Sequence, residues 1–355
     1  MSVSSDEQIK NEIVERFGTQ KGSLRLRVFP EGSDEDQTLF SKGGLTFGDQ
    51  DCAYGSCDAA WYKEGESWYD PYSGQETDVK PVIALEGTDA LNRGSSGNAQ
   101  LQRFHHALGA VKNGIIGIYY LRKGNHPIYN ALFGMAYHAS QVEEGTYIVT
   151  DDLDDIEEII DAINSENEVV QDVLDRILNR MKNKFDKQFN EKYDDWENFA
   201  KRRSTIIKED AVIKYAGRNK RNFTDSSQRA GHIAVGEMYL TKYFFPDKEI
   251  YYLWPRMTRE DLRYLDKNKG DDKEWKLLRT EENVTIATID DLVGIDEELE
   301  EKMMDVKSKP LKGDALSKYT SAKNKLDKLL REGEISIEIS EERPSFREQK
   351  SLNEV

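Results

Sequence analysis

Two acids stand where carboxylates can do chemistry. Asp58 heads the run DAAWYKEGESWYD, and Glu86 closes the apolar run VKPVIALE twenty-eight residues later, followed by Gly87 and Thr88. Alternation along a strand places Lys80, Val82, Ala84, Glu86 and Thr88 on one face and Ile83 and Leu85 on the other. A hairpin joining the two runs brings both acids to one sheet edge. Hard cations such as Mg²⁺ take this kind of donor set: two carboxylates, a backbone carbonyl and water. A lone acid at a strand end is ordinarily a solvated one, so the signal is the pair.

Other chemistries lack their residues. The chain has no phosphate-binding glycine loop of the P-loop or dinucleotide type, no HExxH, no paired CxxC and no G-x-S-x-G. The stretch RGSSGN opens a helix and offers backbone amides to an anion. His105, His106, His126, His138 and His232 show no ligand spacing beyond the adjacent pair. Cys52 and Cys57 are too few for a disulfide framework and read as small buried thiols.

The elements that must position the acids read as α/β. A helix is expected over residues 6–17, with Ile9, Ile13 and Val14 at helical spacing behind a Ser-Ser-Asp cap signal. Strands follow at 23–29, 59–62 and 79–85, the second after a glycine-rich loop. Residues 98–112 read as one amphipathic helix through Leu101, Phe104, Leu108 and Val111. The strand GIIGIYYL, a helix around 129–141, the strand TYIVT and a helix over 154–164 complete the alternation. On the helix 98–112, Asn98, Gln102 and His105 share a face beside the apolar stripe and are candidate DNA contacts. From Val170 a stripe continues through Met181, Phe185, Phe189 and Phe199, as in one or two long helices. The expected organisation is a nuclease-type catalytic core over 1–165, a helical and mixed recognition and dimerisation region over 166–340, largely helical but with NVTIATI as a strand before an acidic helix, and a loose tail over 341–355.

The chain has 355 residues, 37% hydrophobic and 33% charged, with a net charge of -17. This describes a foldable, very polar protein and excludes wholesale disorder. The longest apolar run, Gly114 to Leu121, is far below the ~20 residues of a membrane-spanning helix, and no signal pattern opens the sequence, so a cytoplasmic protein is expected. The acidic average hides segregation. Residues 143–168 carry eleven acids and no base, whereas 180–232 carry fourteen Lys or Arg against eight acids. Such an island binds polyanions if the fold gathers it on one face.

The order helix, acid-bearing strands ending in Glu86-Gly87-Thr88, helix and strand resembles the core of the PD-(D/E)-x-K nucleases, type II restriction endonucleases in particular, over about 110 residues from Ser56 to Ile163. The stretch RGSSGNAQLQR is similar to the Gly-Asn-Ala opening of the DNA-facing helix in some members. The resemblance implies a restriction-endonuclease-like α/β core and Mg²⁺-dependent cleavage of a short specific duplex site. Asp58, Glu86 and the Gly87 carbonyl would hold the metal. Arg103 on the following helix, with Arg203, Arg218, Arg221 and Arg229 from the basic island, would contact DNA, and a homodimer would match a palindromic site. Two positions depart from the pattern: Cys57 replaces the proline before the first acid, and Thr88 replaces the lysine after the second. Threonine can only hydrogen-bond, so Thr88 is expected to position the water while the metal activates it. The alternatives are a repair or defence nuclease of the same superfamily, or an inactive DNA-binding protein of that fold.

Overall fold

The computed structural model describes residues 5–28, 45–49, 52–92, 96–165, 169–192, 205–215, 228–268, 277–279, 281–304 and 313–339, and the chain divides into two compact units, Met1–Lys192 and Tyr193–Val355. The first unit opens with helix α1 (Ser5–Phe17), whose Ile9, Ile13 and Phe17 recur every fourth residue and are all buried. Gly18, at φ +65°, ends the helix in the left-handed conformation that costs glycine least. Strands β1 (Gln20–Lys21), β2 (Leu24–Val28), β3 (Thr46–Asp49), β4 (Cys52–Ser56), β5 (Ala59–Asp70) and β6 (Gln75–Thr88) follow. Then come α2 (Ser96–Leu101), α3 (Phe104–Lys112), β7 (Ile116–Leu121), α4 (Ala131–Val142), β8 (Tyr147–Thr150), α5 (Leu153–Asn164) and α6 (Val169–Lys192).

Six strands form one mixed sheet in the order β1-β2-β5-β6-β7-β8. The first four run antiparallel as a meander, and β7 and β8 lie parallel to β6 and to each other. The change of direction therefore falls on β6, the strand that ends in Glu86. Ile118, Tyr119, Tyr147 and Ile148 are fully buried, which is why β7 and β8 read as continuous apolar runs and not as alternating ones. Helix α5 starts on Asp152, whose carboxylate accepts the Asp154 N–H at 3.2 Å. Helix α6 packs on α4 and α5 through Leu174, Ile177, Leu178, Met181 and Phe185. At about 2 kcal/mol per buried side chain this stripe ties α6 to the first unit. The unit accordingly runs past residue 165, where the sequence reading placed the end of the core.

Two local expectations change. The helix read over 98–112 is two helices, broken at Gln102 and Arg103. The glycine-rich stretch before β5 is the hairpin β3/β4, packed against α3. Its Gly55 touches α3 so closely that a Cβ there would lie 2.2 Å from the His106 carbonyl oxygen, and one on Gly109 would lie 2.7 Å from the Gly55 nitrogen. Glycine at both positions lets the hairpin set where α3 begins.

The second unit contains a sheet of its own, which corrects the expectation of a largely helical region. Its elements are β9 (Thr205–Ile207), β10 (Ala211–Tyr215), α7 (Gln228–Phe244), β11 (Glu249–Trp254), α8 (Arg259–Asn268), β12 (Val284–Thr288), β13 (Leu292–Val293), α9 (Glu297–Met304), α10 (Asp314–Glu332) and β14 (Ser336–Ile337). Four strands pair in the order β12-β11-β10-β9, with β10, β11 and β12 parallel and β9 antiparallel to β10. Ile213, Leu253, Ala287, Leu299, Leu326 and Leu330 belong to one core that joins the sheet to α9 and α10. The strand NVTIATI read from the sequence is β12, and the acidic helix expected after it is α9, whereas β9, β10 and β11, three to six residues each among many charges, show no period long enough to read. Among the described residues no helix is long and apolar enough to cross a membrane. The tail over 341–355 lies outside them.

Candidate active site

The ends of β5 and β6 bring the two acids together. Ala59 pairs with Leu85, and the Asp58 N–H donates to the Leu85 carbonyl at 2.8 Å, so the ladder places Asp58 beside the last residues of β6. Asp58 Oδ2 then accepts the Gly87 N–H at 3.0 Å. Glu86 is 2% exposed and registers with Tyr119 on β7. The convergence expected from the strand alternation is thus what the hairpin produces.

Three cations or potential cations surround the pair, each delivered by a helix. Arg103, in the break between α2 and α3, donates from Nη1 to Glu86 Oε1 at 2.8 Å and to the Gly87 carbonyl at 3.3 Å. His106 Nδ1 lies 2.7 Å from the Ser56 carbonyl and 3.4 Å from Glu86 Oε2. A carbonyl can only accept, so Nδ1 carries the proton and the ring is pinned between strand β4 and Glu86. Lys10, on α1, places Nζ 3.9 Å from Asp58 Oδ1. Even so, burial first and the Glu86 charge second push the Asp58 carboxyl up to about 7, against the opposing pull of the Gly87 N–H, Arg103 and Lys10.

A hard divalent cation fits this donor set. Asp58 and Glu86 would supply carboxylate oxygens and Gly87 a carbonyl, and a carboxyl raised to about 7 by burial first and by its acidic neighbour second marks a place where added positive charge is favourable. Among the described residues no group of three or more His, Cys, Asp or Glu is placed to share a metal, so the set comprises two carboxylates and the carbonyl. Arg103 already bridges two of these three oxygens, and an incoming ion would compete with its guanidinium.

The other candidate residues scatter. Thr88 is 8% exposed at the end of β6, and the phenol of its neighbour Tyr119 donates to the Gln100 carbonyl at 2.7 Å. Gln102 and Arg103 lie half-buried in the helix break, while His105 is fully buried against His106, ring centres 4.2 Å apart. His105 is therefore a core residue and shares no exposed face with Gln102. The backbone of Asn98 lies in α2 and that of Arg229 in α7, but their side chains fall outside the described residues. Arg203, Arg218 and Arg221 lie outside them altogether.

The described part of the basic island makes local pairs. Arg180 meets Asp155 at 2.6 Å, Lys182 meets Asp186, Lys208 donates to the Leu330 carbonyl, and Lys214 is buried beside Glu237. Cys57 is buried, as expected for a small thiol. Lys80 lies near Glu66 on the exposed arm of the hairpin, away from the acids.

Sequence reasoning missed Lys10 and His106 as site residues. Lys10 carries one legible hint, standing beside Ile9 on a helix whose buried face must meet the sheet. His106 carries none that separates it from His105. No protein-family model, curated protein or solved structure matches the chain.

Proposed function

We propose that this chain is a Mg²⁺-dependent endodeoxyribonuclease with a restriction-endonuclease-like core, cutting a short specific site in duplex DNA. The observation that carries the reading is the juxtaposition of Asp58 and Glu86 at the ends of adjacent antiparallel strands, with the Gly87 N–H bound to one acid and its carbonyl facing the cation set. The order of acid-bearing meander, helix and parallel strand supports it. Asp58, Glu86 and the Gly87 carbonyl would hold the ion, which when bound acidifies a water and offsets charge at the scissile phosphate. The chain's own groups do the positioning. The Gly87 N–H fixes the Asp58 carboxylate, and His106 together with the Ser56 carbonyl fixes Glu86. Arg103, once released from Glu86, offers a planar set of donors to a phosphate. Arg203, Arg218, Arg221 and Arg229 are proposed phosphate and base contacts, and a homodimer would serve a two-fold site.

A second reading, an inactive DNA-binding protein of the same fold, is favoured by the Arg103 bridge across Glu86 and Gly87 and by Thr88. Incubating supercoiled plasmid and unmodified phage DNA with Mg²⁺ or with EDTA separates the readings on a gel. Discrete Mg²⁺-dependent fragments are expected from the wild type. Asp58→Ala and Glu86→Ala should each lower cleavage by about 10³ or more while the melting temperature is kept. Duplex binding without cleavage supports the inactive reading, and a smear of fragments supports a non-specific nuclease. Neither binding nor cleavage removes both.

A further inference from the structure

We propose that Lys10, from the first helix, is the catalytic cation of this site and takes the place left vacant by Thr88. The inference rests on the nuclease reading and extends it to a residue far outside the acid-bearing strands.

Three observations carry it. Helix α1 is docked on the sheet at the site itself, since a Cβ on Gly87 would lie 2.5 Å from Ile9 Cγ2 and Ile9 is fully buried. Glycine at 87 therefore lets the helix backbone approach, and the next residue along the helix is Lys10. Its ammonium lies 3.9 Å from Asp58 Oδ1, a distance of charge pairing and not of a hydrogen bond, with the side chain 16% exposed. The two carboxylates, finally, are served from different helices. Arg103 and His106 from the α2–α3 region address Glu86, and Lys10 addresses Asp58. Thr88 brings no charge and is 8% exposed. Lys10 is thus the ammonium placed to meet a phosphate held against Asp58.

In the hydrolysis a water oxygen bonds to phosphorus as the bond from phosphorus to the 3′ oxygen breaks. One water proton leaves to solvent and the 3′ oxygen takes one from solvent, which leaves a 5′ phosphate and a 3′ hydroxyl. Lys10 stays an ammonium throughout. It donates to a non-bridging phosphate oxygen, where charge grows in the transition state, and to the attacking water.

The test uses the full-length protein in four forms: wild type, Lys10→Met, Lys10→Arg and Lys10→Met with Thr88→Lys. Single-turnover cleavage is read in Mg²⁺, duplex binding in Ca²⁺, and folding by thermal melting. Lys10→Met should lower the cleavage rate by about 10²–10³ with duplex affinity changed by only a few-fold, by the scale of a lost transition-state donor. Lys10→Arg should keep a larger share of the rate. A lysine at 88 should restore part of it, because both positions then address the same phosphate. A merely structural Lys10 would show its loss in melting and binding, with no rescue from position 88. Wild-type cleavage by Lys10→Met, or a loss that neither Arg at 10 nor Lys at 88 repairs, overturns the proposal and leaves the nuclease reading standing. A wild type inert toward every DNA overturns both.

Discussion

In the second unit buried charges are matched with opposite ones. Lys214 lies 3.3 Å from Glu237, Lys242 lies 2.6 Å from Glu281, and Arg279 grips Asp266 through two bonds of 3.0 and 3.1 Å. Asp291, fully buried, accepts the Thr288 N–H at 2.7 Å, its hydroxyl at 2.8 Å and Arg259 Nε at 3.0 Å. The first unit instead sets two acids together at the ends of β5 and β6, and burial leaves Asp58 with a carboxyl at about 7 despite its cationic neighbours. A matched charge holds a turn or a strand end in place. The acid pair instead has its charge disfavoured, by burial first and by the neighbouring carboxylate second, and this separates a candidate site from a well-made core.

The sharpest break in this comparison is a pH experiment on the apoprotein. Asp58 ordinarily titrates near 3.8 and in the fold at about 7, so the folded state binds its proton more tightly than the unfolded one. That contribution to stability is fully present below pH about 4, is lost as pH rises, and is gone above about 7. The difference corresponds to up to about 4 kcal/mol at 1.36 kcal/mol per pH unit. Asp58→Asn, measured in EDTA by denaturant unfolding, should therefore be more stable than wild type at pH 8, with the gap closing toward pH 4. A gap independent of pH would show that Asp58 titrates alike in the folded and the unfolded chain.

The matched side predicts the opposite sign. Asp291→Ala removes the cap of the turn after β12 and strands the Thr288 N–H, and it should destabilise the protein by about 2–3 kcal/mol. Urea titration checks it, and a loss under about 0.5 kcal/mol would make the second unit's charges as dispensable as surface pairs.

A smaller effect concerns Arg103. If its guanidinium competes with an ion for Glu86 and the Gly87 carbonyl, Arg103→Gln should tighten divalent-cation binding by about five- to tenfold, on the order of 1 kcal/mol. Calorimetric titration with Mg²⁺ or Mn²⁺ reads this directly. Weaker binding in the variant would mean that Arg103 supports the donor set and does not occlude it.

The acid pair was legible because it depends on local rules. Strand alternation, the apolar run into Glu86 and the hairpin reach of Asp58 follow from a period of two and a short connection, and the ladder from Ala59 to Leu85 realises them. The described part of the basic island shows the converse. Fourteen cations in one stretch of sequence say nothing of which acids the fold sets beside them, and Arg180 and Lys214 meet Asp155 and Glu237. The break at Gln102 and Arg103 was invisible because both are good helix formers and the interruption comes from packing. Hairpin β3/β4 packs closely on α3 at Gly55 and Gly109, and Arg103, in the break before α3, donates to Glu86.

The sequence by itself determined an α/β first unit, the strand that ends in an acid, and the facing of Asp58 and Glu86, since each rests on contacts near in the chain or on a repeating period. Tertiary structure alone decided that β12 joins a four-stranded sheet in the second unit, that His105 is core while His106 reaches Glu86, and that Lys10 stands beside Asp58. The physical reason is distance along the chain. Lys10 reaches the site because Ile9 fills the space that Gly87 leaves empty on a strand more than seventy residues later, and no local propensity encodes a contact between two surfaces that meet only after both have formed.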